Sequence, residues 1–439
     1  MDKLADVAEL IMGQSPPSAT YNEDGDGLPF FQGKTDFGFR HPTQRLFCNG
    51  PLKVAIPGDI LISVRAPVGP TNIADRDCCI GRGLGAIRPH GIDGEFLFYN
   101  LRYIEKFITS LGSGSTFQAI NKNQLSSVEV NPNEFDLPEQ RKIAGVLGVL
   151  QRAIEQQERL IVLTKELKKA LMQKIFTEGL RGETQKQTEI GLVPESWDLV
   201  PGEDLCEMIT VGVVVKPASH YIEKGIPAVR SFNVQEDRLA PNDLVYFSEN
   251  ANDTTLAKSK LRAGDVLVVR TGYPGTSCVV PKRYDGANCI DLVIVRPKDG
   301  VILSGFLGRF FNSPAGKNQA VAEKHGLAQQ HLNVSAVKRT LIPVPPFEEQ
   351  EEIDTALGTV QQKIGLINAK KNALATLFHT LLHHLMTAQL RVHDLDLDIL
   401  ECGDTSPLFH TGTRPGNQSA DVSAHSIKNS AVVPAHSKA

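Results

Sequence analysis

A duplicated segment is the feature that most constrains the fold of this 439-residue chain. Residues 137–154 read LPEQRKIAGVLGVLQRAI, and residues 347–364 read FEEQEEIDTALGTVQQKI. An ungapped shift of 210 positions aligns identical residues at Glu139, Gln140, Ile143, Leu147, Gly148, Gln151, Ile154, Leu167, Leu171, Thr177, Leu180 and Arg181. Self-similarity at a fixed shift indicates internal duplication. The sequence therefore predicts two similar halves.

Both copies have the periodicity of a long amphipathic helix. Apolar residues alternate at spacings of four and three, which is typical of a coiled-coil seam. The seam positions are Ile143, Leu147, Leu150 and Ile154 in the first copy and Ile353, Leu357, Val360, Ile364 and Ile367 in the second. Gln157 and Lys371 are polar residues at seam positions. Asp136 can cap the first helix, Pro138 suits its first turn and Gly179 suits its end.

The segments between the helical copies also repeat, more faintly. PGDILISVRAPVG at 57–69 resembles AGDVLVVRTGYPG at 263–275, and CIGRGLGAIRP at 79–89 resembles CIDLVIVRP at 289–297. Short β-branched runs between Gly and Pro turns are typical of strands. We therefore expect two mainly-β domains.

These patterns predict an α+β protein in which each mainly-β domain is followed by a long helix. Domain 1 is placed at 1–135 and its helix at 136–182. Domain 2 is placed at 183–346 and its helix at 347–390. The two helices are expected to pack as an antiparallel coiled coil, because an antiparallel pair places the domains at opposite ends. The polar segment 391–439 is predicted to be a disordered tail.

Composition excludes several classes of protein. The net charge of −4 shows that the chain is not a polycation, so any nucleic-acid contact must come from local clusters. Seven scattered cysteines without a C-x-x-C pair indicate neither a disulfide framework nor a zinc site. The sequence contains no apolar run long enough to cross a membrane and no secretory signal pattern, so we expect a cytoplasmic protein.

Motifs for catalysis are weak. The segments GSGST (112–116) and TGYPGTS (271–277) lack the Gly-Lys-Ser/Thr of a phosphate loop, and GRGLG (81–85) precedes no predicted helix. His379, His383 and His384 have helical spacing but no further ligand at metal-binding spacing, which favours a solvated helix face. We predict no catalytic residues and no metal site.

A duplicated domain-plus-helix can hold two similar reading surfaces at a fixed separation. Duplex DNA suits such a protein, because equivalent groove positions recur about every 34 Å. The sequence thus favours a target with two parts.

The chain also resembles the specificity subunits of type I restriction–modification systems. The resemblance covers residues 1–390 and is carried by L-P-E-Q-R-K-I-A-G-V-L at 137–147, F-E-E-Q-E-E-I-D-T-A-L at 347–357, E-I-G-L-V-P-E-S-W at 189–197 and the G-D-[IV]-L strand of each domain. It departs from the family pattern at the N-terminus, which lacks P-x-x-W, in the acidic opening of the second helix, and in the polar tail.

The resemblance implies a non-catalytic subunit with two target-recognition domains that each read half of a bipartite DNA sequence. It implies that methyltransferase (modification) subunits dock on the two helices, and that restriction subunits join through them. S-adenosylmethionine is expected on the partner methyltransferase, with no cofactor on this chain. Two alternatives stay open: a single-chain DNA methyltransferase or nuclease with an unrecognised site, and a coiled-coil assembly scaffold.

DNA contacts are expected in loops near the repeated strands and just before each long helix. Arginine can fork onto guanine, glutamine onto adenine, and lysine or hydroxyl groups onto phosphate. A surface or strand-pairing role is the competing interpretation for each residue. The candidates are Arg65, Arg82, Ser115, Thr116, Gln118 and Lys122 in domain 1, and Arg230, Arg270, Tyr273, Lys324, Gln329 and Gln330 in domain 2.

The polar seam residues suggest a register for the two helices. Full antiparallel overlap places Ile143 opposite Leu385 and Gln157 opposite Lys371. In this register Lys168 faces Val360 and has to turn outward to water.

Overall fold

A computed structural model of the chain describes residues 2–112, 119–130, 134–322 and 331–395. The chain divides into two compact units, Met1–Leu390 and Arg391–Ala439. The described part of the second unit contains one short 3₁₀ helix, Val392–Asp394. The predicted tail from residue 396 onward lies outside the described residues.

Domain 1 is built on two larger sheets. The first is antiparallel and contains, in spatial order, Ala8–Met12, Leu84–Pro89, Ile60–Ser63 and Thr71–Ile73. The second contains Tyr21–Asn22, Leu46–Cys48, Leu28–Phe31, Cys78–Ile80 and Val54–Ala55, with one parallel pairing between Leu28–Phe31 and Cys78–Ile80. The α-helices of this domain are Leu4–Val7, Gly94–Tyr103, Glu105–Ser110 and Lys122–Ser126.

Domain 2 repeats this arrangement. Its antiparallel sheet contains, in spatial order, Cys206–Val211, Leu292–Pro297, Val266–Val269 and Ser277–Val279. Its mixed sheet contains Tyr221–Ile222, Val245–Phe247, Ile226–Val229 and Asn288–Cys289, again with a parallel pairing of the last two strands. Its α-helices are Gly202–Leu205, Glu249–Asp253, Ser304–Asn312, Pro314–Ala322 and Val334–Arg339. The two domains thus share the strand order of the antiparallel sheet and of four strands of the mixed sheet, to which domain 1 adds Val54–Ala55.

Two-stranded ribbons complete the domains. Asp2–Lys3 pairs with Glu129–Val130, and Asp198–Pro201 pairs with Leu341–Val344, so each domain closes just before its long helix. Domain 2 has two further ribbons, formed by Gln185–Thr188 with Gly191–Pro194 and by Val234–Gln235 with Arg238–Leu239.

The two long helices are the longest elements of the described chain. Long helix 1 spans Leu137–Glu178, and long helix 2 spans Phe347–Met386. Asp136 caps long helix 1, because its Oδ1 accepts a hydrogen bond from the amide of Glu139 at 2.8 Å. Gly179 ends the helix with a φ of 67°, a left-handed conformation that glycine adopts at little cost. The sequence signals at both ends are confirmed.

The long helices are antiparallel, as predicted. At one end the amide of Leu180 donates to Glu349 Oε1 at 3.2 Å, which joins the end of long helix 1 to the start of long helix 2. Lys371 Nζ lies 3.5 Å from Glu158 Oε1, so Lys371 contacts the neighbour of Gln157. The pairing therefore lies within one residue of the predicted register.

Burial along the helices follows the seam in part. Ile143, Leu147 and Gln157 are buried on long helix 1, whereas Leu150 and Ile154 are half-buried. On long helix 2, the predicted seam residues Ile353, Leu357, Ile364 and Ile367 are buried, whereas Val360 and Lys371 are half-buried.

The apolar core of domain 2 continues into the long helices. Trp197 and Phe306 of the domain pack in one cluster with Phe176 of long helix 1 and Ile353 of long helix 2. This shared core holds domain 2 on the helix pair at the level of Phe176 and Ile353, near the end of long helix 1.

The repeated G-D-[IV]-L motif has a structural role in both domains. The carboxylate of Asp59 accepts two hydrogen bonds from Arg88, at 2.9 and 2.8 Å, and Asp265 accepts two from Arg296, both at 2.7 Å. Both aspartates are buried. Such bidentate pairs fix the relation of neighbouring strands.

Candidate nucleic-acid interface

In domain 1 the loop after strand Ile60–Ser63 lies beside the segment that precedes long helix 1. Arg65 forms an isolated antiparallel bridge with Ala119, and the amide of Ile120 donates to the carbonyl of Val64 at 3.0 Å. The Arg65 side chain is exposed. The geometry thus places one predicted contact next to the end of the pre-helix segment.

Domain 2 has the same junction after strand Val266–Val269. The amide of Leu332 donates to the carbonyl of Arg270 at 3.0 Å, and Arg270 Nε donates back to the carbonyl of Leu332 at 3.0 Å. Arg270 also forms an ion pair with Asp291. Its guanidinium is therefore engaged within the domain, and it fixes the loop that follows it.

Tyr273 occupies that loop and is 82% exposed. An exposed aromatic ring suits stacking on a base of a nucleic acid. Gly275, at the end of the loop, lies against Lys317 and Ala320 of helix Pro314–Ala322. The loop therefore lies against the helix that leads toward residues 324–330.

The remaining described candidates differ in their surroundings. Arg82 is exposed, and its backbone amide donates a hydrogen bond to Ser15 Oγ at 3.2 Å. Lys122 is exposed in the first turn of helix Lys122–Ser126. Arg230 lies over the ring of Phe232 at 4.4 Å and donates to the carbonyl of Asp243.

Half of the predicted contacts lie outside the described residues. These are Ser115, Thr116 and Gln118 in domain 1, and Lys324, Gln329 and Gln330 in domain 2. The structure brings the flanks of both segments to the post-strand loops, at Ala119 and at Leu332. All twelve DNA contacts stay predictions.

One expectation about the long helices is wrong. Lys168 was expected to turn outward to water, but its side chain is buried and forms an ion pair with Asp237 at 2.6 Å. The reason is tertiary, because the ribbon of domain 2 that carries Asp237 covers this part of long helix 1. Heptad spacing carries no information about such a covering element.

Asp237 was not singled out from the sequence. It lies between Gln235 and Arg238 with a φ of 57°, and its carboxylate accepts hydrogen bonds from Lys168 and, at 2.9 Å, from Asn312. The nearby groove has a volume of about 1060 Å³ and is lined by both long helices and this ribbon. Asp237 stands in the polar run Q-E-D-R, which is typical of an exposed loop, so the sequence does not indicate its buried ion pair with Lys168.

Titratable groups for metal or thiol chemistry are not assembled in the described part. There, no group of three or more His, Cys, Asp or Glu side chains is placed to hold a metal ion. Six cysteines are buried, and burial raises the thiol pKa of Cys78, Cys206 and Cys278 to about 12. No helix among the described residues is long and apolar enough to cross a membrane.

The chain is similar in sequence to specificity subunits of type I restriction enzymes. A putative type I restriction enzyme MjaX specificity subunit of Methanocaldococcus jannaschii is 44% identical over 178 residues, which cover 40% of this chain and 41% of that relative. The MjaIX specificity subunit of the same organism is 22% identical over 424 residues, covering 90% of this chain and 94% of that protein.

A solved structure has the same fold over most of the chain. The S subunit of a type I restriction–modification system from M. genitalium matches with a TM-score of 0.58 and 16% identity, over 87% of this chain and 94% of that one. The family model described as type I restriction modification DNA specificity domain matches residues 1–165 and 222–376. Two domain-plus-helix halves and this match lead to one conclusion: the chain belongs to the type I restriction–modification DNA specificity family.

Proposed function

We propose that this chain is the DNA sequence-specificity subunit of a type I restriction–modification complex and recognises a bipartite target. The observation that carries the proposal is the duplicated architecture, in which two domains of similar strand order are each followed by one helix of an antiparallel pair. Each domain would read one half-site, and the helix pair would set the distance between them.

The chain is proposed to have no catalytic activity of its own. Specificity subunits are generally non-catalytic, and the charged residues of the repeated motifs are engaged in structure. Asp59 and Asp265 are buried in bidentate pairs with arginines, which leaves them unsuited to acid–base work on a substrate. S-adenosylmethionine would bind to a partner methyltransferase subunit and not to this chain.

The helix pair offers a surface for that partner. Leu160, Leu163 and Leu167 have helical spacing on one face of long helix 1 and are exposed. Leu366 is also exposed. Lys168 contacts Gln361, and the helices are antiparallel, so Leu163, five residues before Lys168, lies at the same level as Leu366, five residues after Gln361. Three exposed leucines on one face of long helix 1 favour a protein partner, and we name these three residues together with Leu366 the leucine patch.

Modification subunits would bind the leucine patch, and restriction subunits would join through them. Such a complex acts on chromosomal and invading DNA, so we propose a cytoplasmic location. The direct partners of this chain would be double-stranded DNA and the modification subunits.

Binding of the purified chain to duplex DNA tests the proposal. We expect an affinity that falls with salt, and selection from a random duplex pool should enrich two short sequences at a fixed separation. Exchanging residues 1–135 for the equivalent part of a relative should change one of the two sequences only. If both sequences change, the domains do not read independently. Binding of S-adenosylmethionine by the purified chain alone would favour a single-chain methyltransferase.

A further inference from the structure

Each domain contacts the helix pair through a cation that is hydrogen-bonded to a glutamine of a long helix, and we call each such contact a joint. The two glutamines are related by the same shift of 210 positions that relates the two halves. In the first joint, the cation belongs to the domain. Arg102, at the end of helix Gly94–Tyr103, donates from Nη1 to Gln151 Oε1 of long helix 1 at 2.9 Å. Its guanidinium lies 5.2 Å from the ring centre of Phe378 on long helix 2. This joint is a cation packed on an aromatic ring.

In the second joint, the cation belongs to the long helix. Lys168 Nζ donates to Gln361 Oε1 of long helix 2 at 2.7 Å and to Asp237 Oδ2 of domain 2 at 2.6 Å. The lysine and aspartate side chains are 6% and 8% exposed. This joint is a buried ion pair, and Arg309 of domain 2 also approaches it, with Nε 3.9 Å from Asp237 Oδ2.

The equivalent positions show that the cation has changed sides. A glutamine at the equivalent position accepts from the cation in both joints. The cation itself comes from the domain in the first joint and from the long helix in the second. The aligned pairs are Gln151 with Gln361, Arg102 with Asn312, and Phe378 with Lys168.

The second joint also reaches a different part of its domain. Asp237 lies at the turn of the ribbon formed by Val234–Gln235 and Arg238–Leu239. Its Oδ1 accepts a hydrogen bond from Asn312, which also donates to the carbonyl of Ser277 at 3.0 Å. The ion pair thus ties long helix 1 to both the ribbon and the sheet edge of domain 2.

The space around the second joint is open. Lys168, Asp237 and Asn312 line the groove of about 1060 Å³, together with Gln361 and Asn368. Apolar packing therefore does not fill this side of the joint, so polar contacts carry the geometry there. Arg102 in the first joint is instead held between aromatic rings, Phe98 at 5.6 Å and Phe378.

We propose that Lys168 and Asp237 form a positioning latch that fixes the angle of domain 2 on the helix pair and thereby sets the separation of the two half-sites. The role in half-site separation rests on the proposed function, whereas the positioning of domain 2 by the latch does not. A buried ion pair adds little net stability, because desolvation offsets the attraction, but it defines a geometry that apolar contacts leave adjustable. Lys168 and Asp237 are positioning residues and touch no DNA.

Distances between spin labels in the full-length chain test the latch without DNA. Labels are placed on introduced cysteines at exposed positions: Lys258→Cys in domain 2, Lys106→Cys in domain 1 and Arg159→Cys on long helix 1. The six described native cysteines are buried, and Cys402→Ser removes the seventh. Pulsed electron paramagnetic resonance then measures the 258–159 and 106–159 distance distributions.

Lys168→Met removes the charge and keeps the length of the side chain. We expect the 258–159 distribution to broaden about twofold, because the ribbon loses its tie to long helix 1, while the 106–159 distribution stays as in the wild type. Asp237→Asn should act in the same way, and Lys168→Arg should restore a narrow distribution. The matched control is Lys371→Met, which removes the ion pair between the half-buried Lys371 and the exposed Glu158.

Selection from a random duplex pool supplies the second readout. The wild type and Lys371→Met should enrich one separation of the half-sites, and Lys168→Met should also enrich separations that differ by about one base pair, or 3.4 Å. A merely structural loss would lower the bound fraction at an unchanged separation.

Two results overturn the proposal. An unchanged 258–159 distribution in both Lys168→Met and Asp237→Asn would remove the latch. A broadened distribution with an unchanged separation would leave the joint real and its role in half-site spacing wrong. A wild-type chain that enriches no two-part site would instead refute the proposed function, and the spacing role with it, while the label distances still decide the latch.

Discussion

The indole Nε1 of Trp197 donates a hydrogen bond to Glu349 Oε2 at 3.3 Å, between two residues that are 0% and 1% exposed. The other oxygen of the same carboxylate, Oε1, accepts from the amide of Leu180 at 3.2 Å, and Arg181 Nη1 lies 3.8 Å from Oε2. One buried glutamate therefore joins the end of long helix 1, the start of long helix 2 and the first strands of domain 2. This gives a structural role to one of the acidic residues at the start of long helix 2.

Glu349→Gln is expected to lower the free energy of unfolding by about 1–3 kcal/mol, because an amide cannot accept at both positions and buried donors lose a partner. Trp197→Phe should cost a similar amount, since it removes the donor and part of a buried ring. The midpoint of denaturant unfolding measures both. Glu351→Gln, at an exposed position of the same turn, is the control and should change stability by less than about 0.5 kcal/mol. Equal effects at 349 and 351 would contradict this assignment.

The glutamines of the duplicated E-Q-x-x-I motif perform the same task twice. Gln140 Oε1 accepts from the amide of Asp93 at 2.9 Å, and Gln350 Oε1 accepts from the amide of Leu303 at 2.9 Å. Each glutamine also donates to a carbonyl just before its helix, that of Phe135 at 3.0 Å for Gln140. The motif therefore ties the start of each long helix to its own domain.

Gln140→Ala and Gln350→Ala should each destabilise the chain by about 1–3 kcal/mol, because each substitution leaves a backbone amide and a carbonyl without their partner. Thermal unfolding of the two variants against Gln156→Ala, at an exposed position of long helix 1, measures the effect. The two effects should be similar if the halves are equivalent here. A neutral Gln140→Ala would show that the domain does not depend on this link.

Local signals predicted the long helices because their causes are local. The cap at Asp136, the glycine at 179 and the apolar spacing act within a few residues, and the structure follows them. The β content and the antiparallel pairing were also predicted, the first from strand-like runs and the second from duplication.

Tertiary relations were not predictable in this way. The burial of Lys168 depends on a ribbon whose Asp237 lies 69 residues away in sequence, and nothing near Asp237 marks it as a partner. The G-D-[IV]-L aspartates were identified as part of a motif, but their arginine partners lie on other strands. For the DNA surface, the structure brings flanking residues together, whereas base readout depends on side-chain geometry in loops.

Buried thiols lead to a prediction on reactivity and pH. Burial raises the pKa of Cys78, Cys206 and Cys278 from 9.0 to about 12. These thiols stay protonated in the folded chain between pH 9 and 12, whereas the unfolded chain ionises, so the unfolded state binds fewer protons there. Stability should therefore fall as the pH rises above about 9 and should not depend on these groups below it.

Alkylation at pH 8 with peptide mapping measures the protection. We expect the six described cysteines to react only after denaturation, because the thiolate is the reactive species and none of the six is accessible. Rapid modification of Cys206 or Cys278 in the native chain would show that domain 2 opens to solvent.

Substitutions of Tyr273 and Arg270 distinguish DNA contact from structural support, because Tyr273 is exposed and Arg270 is bonded within domain 2. Tyr273→Ala should weaken DNA binding without loss of stability, since the ring is exposed, and Tyr273→Phe tests whether the hydroxyl or the ring matters. Arg270→Ala should lower stability, because it removes bonds to Leu332 and Asp291. Lys324→Ala should reduce the slope of log affinity against log salt by about one if it contacts a phosphate. Unchanged affinity and slope in Tyr273→Ala with Lys324→Ala would place the contact of domain 2 elsewhere.

The leucine patch predicts how the chain assembles. Leu163 and Leu366 are exposed at one level of the helix pair and contribute little to the seam, whose apolar residues at this level include Ile161 and Ile364. Leu163→Ser with Leu366→Ser should therefore leave the unfolding midpoint and DNA binding near the wild-type values, while co-expressed modification subunits should no longer co-purify, because each buried leucine contributes about 1.5–3 kcal/mol to an interface. The matched control is Val162→Ser with Leu192→Ser, which removes similar exposed apolar area at other positions. Retention of the modification subunits by the patch variant, with loss in the control, would move the docking surface away from Leu163.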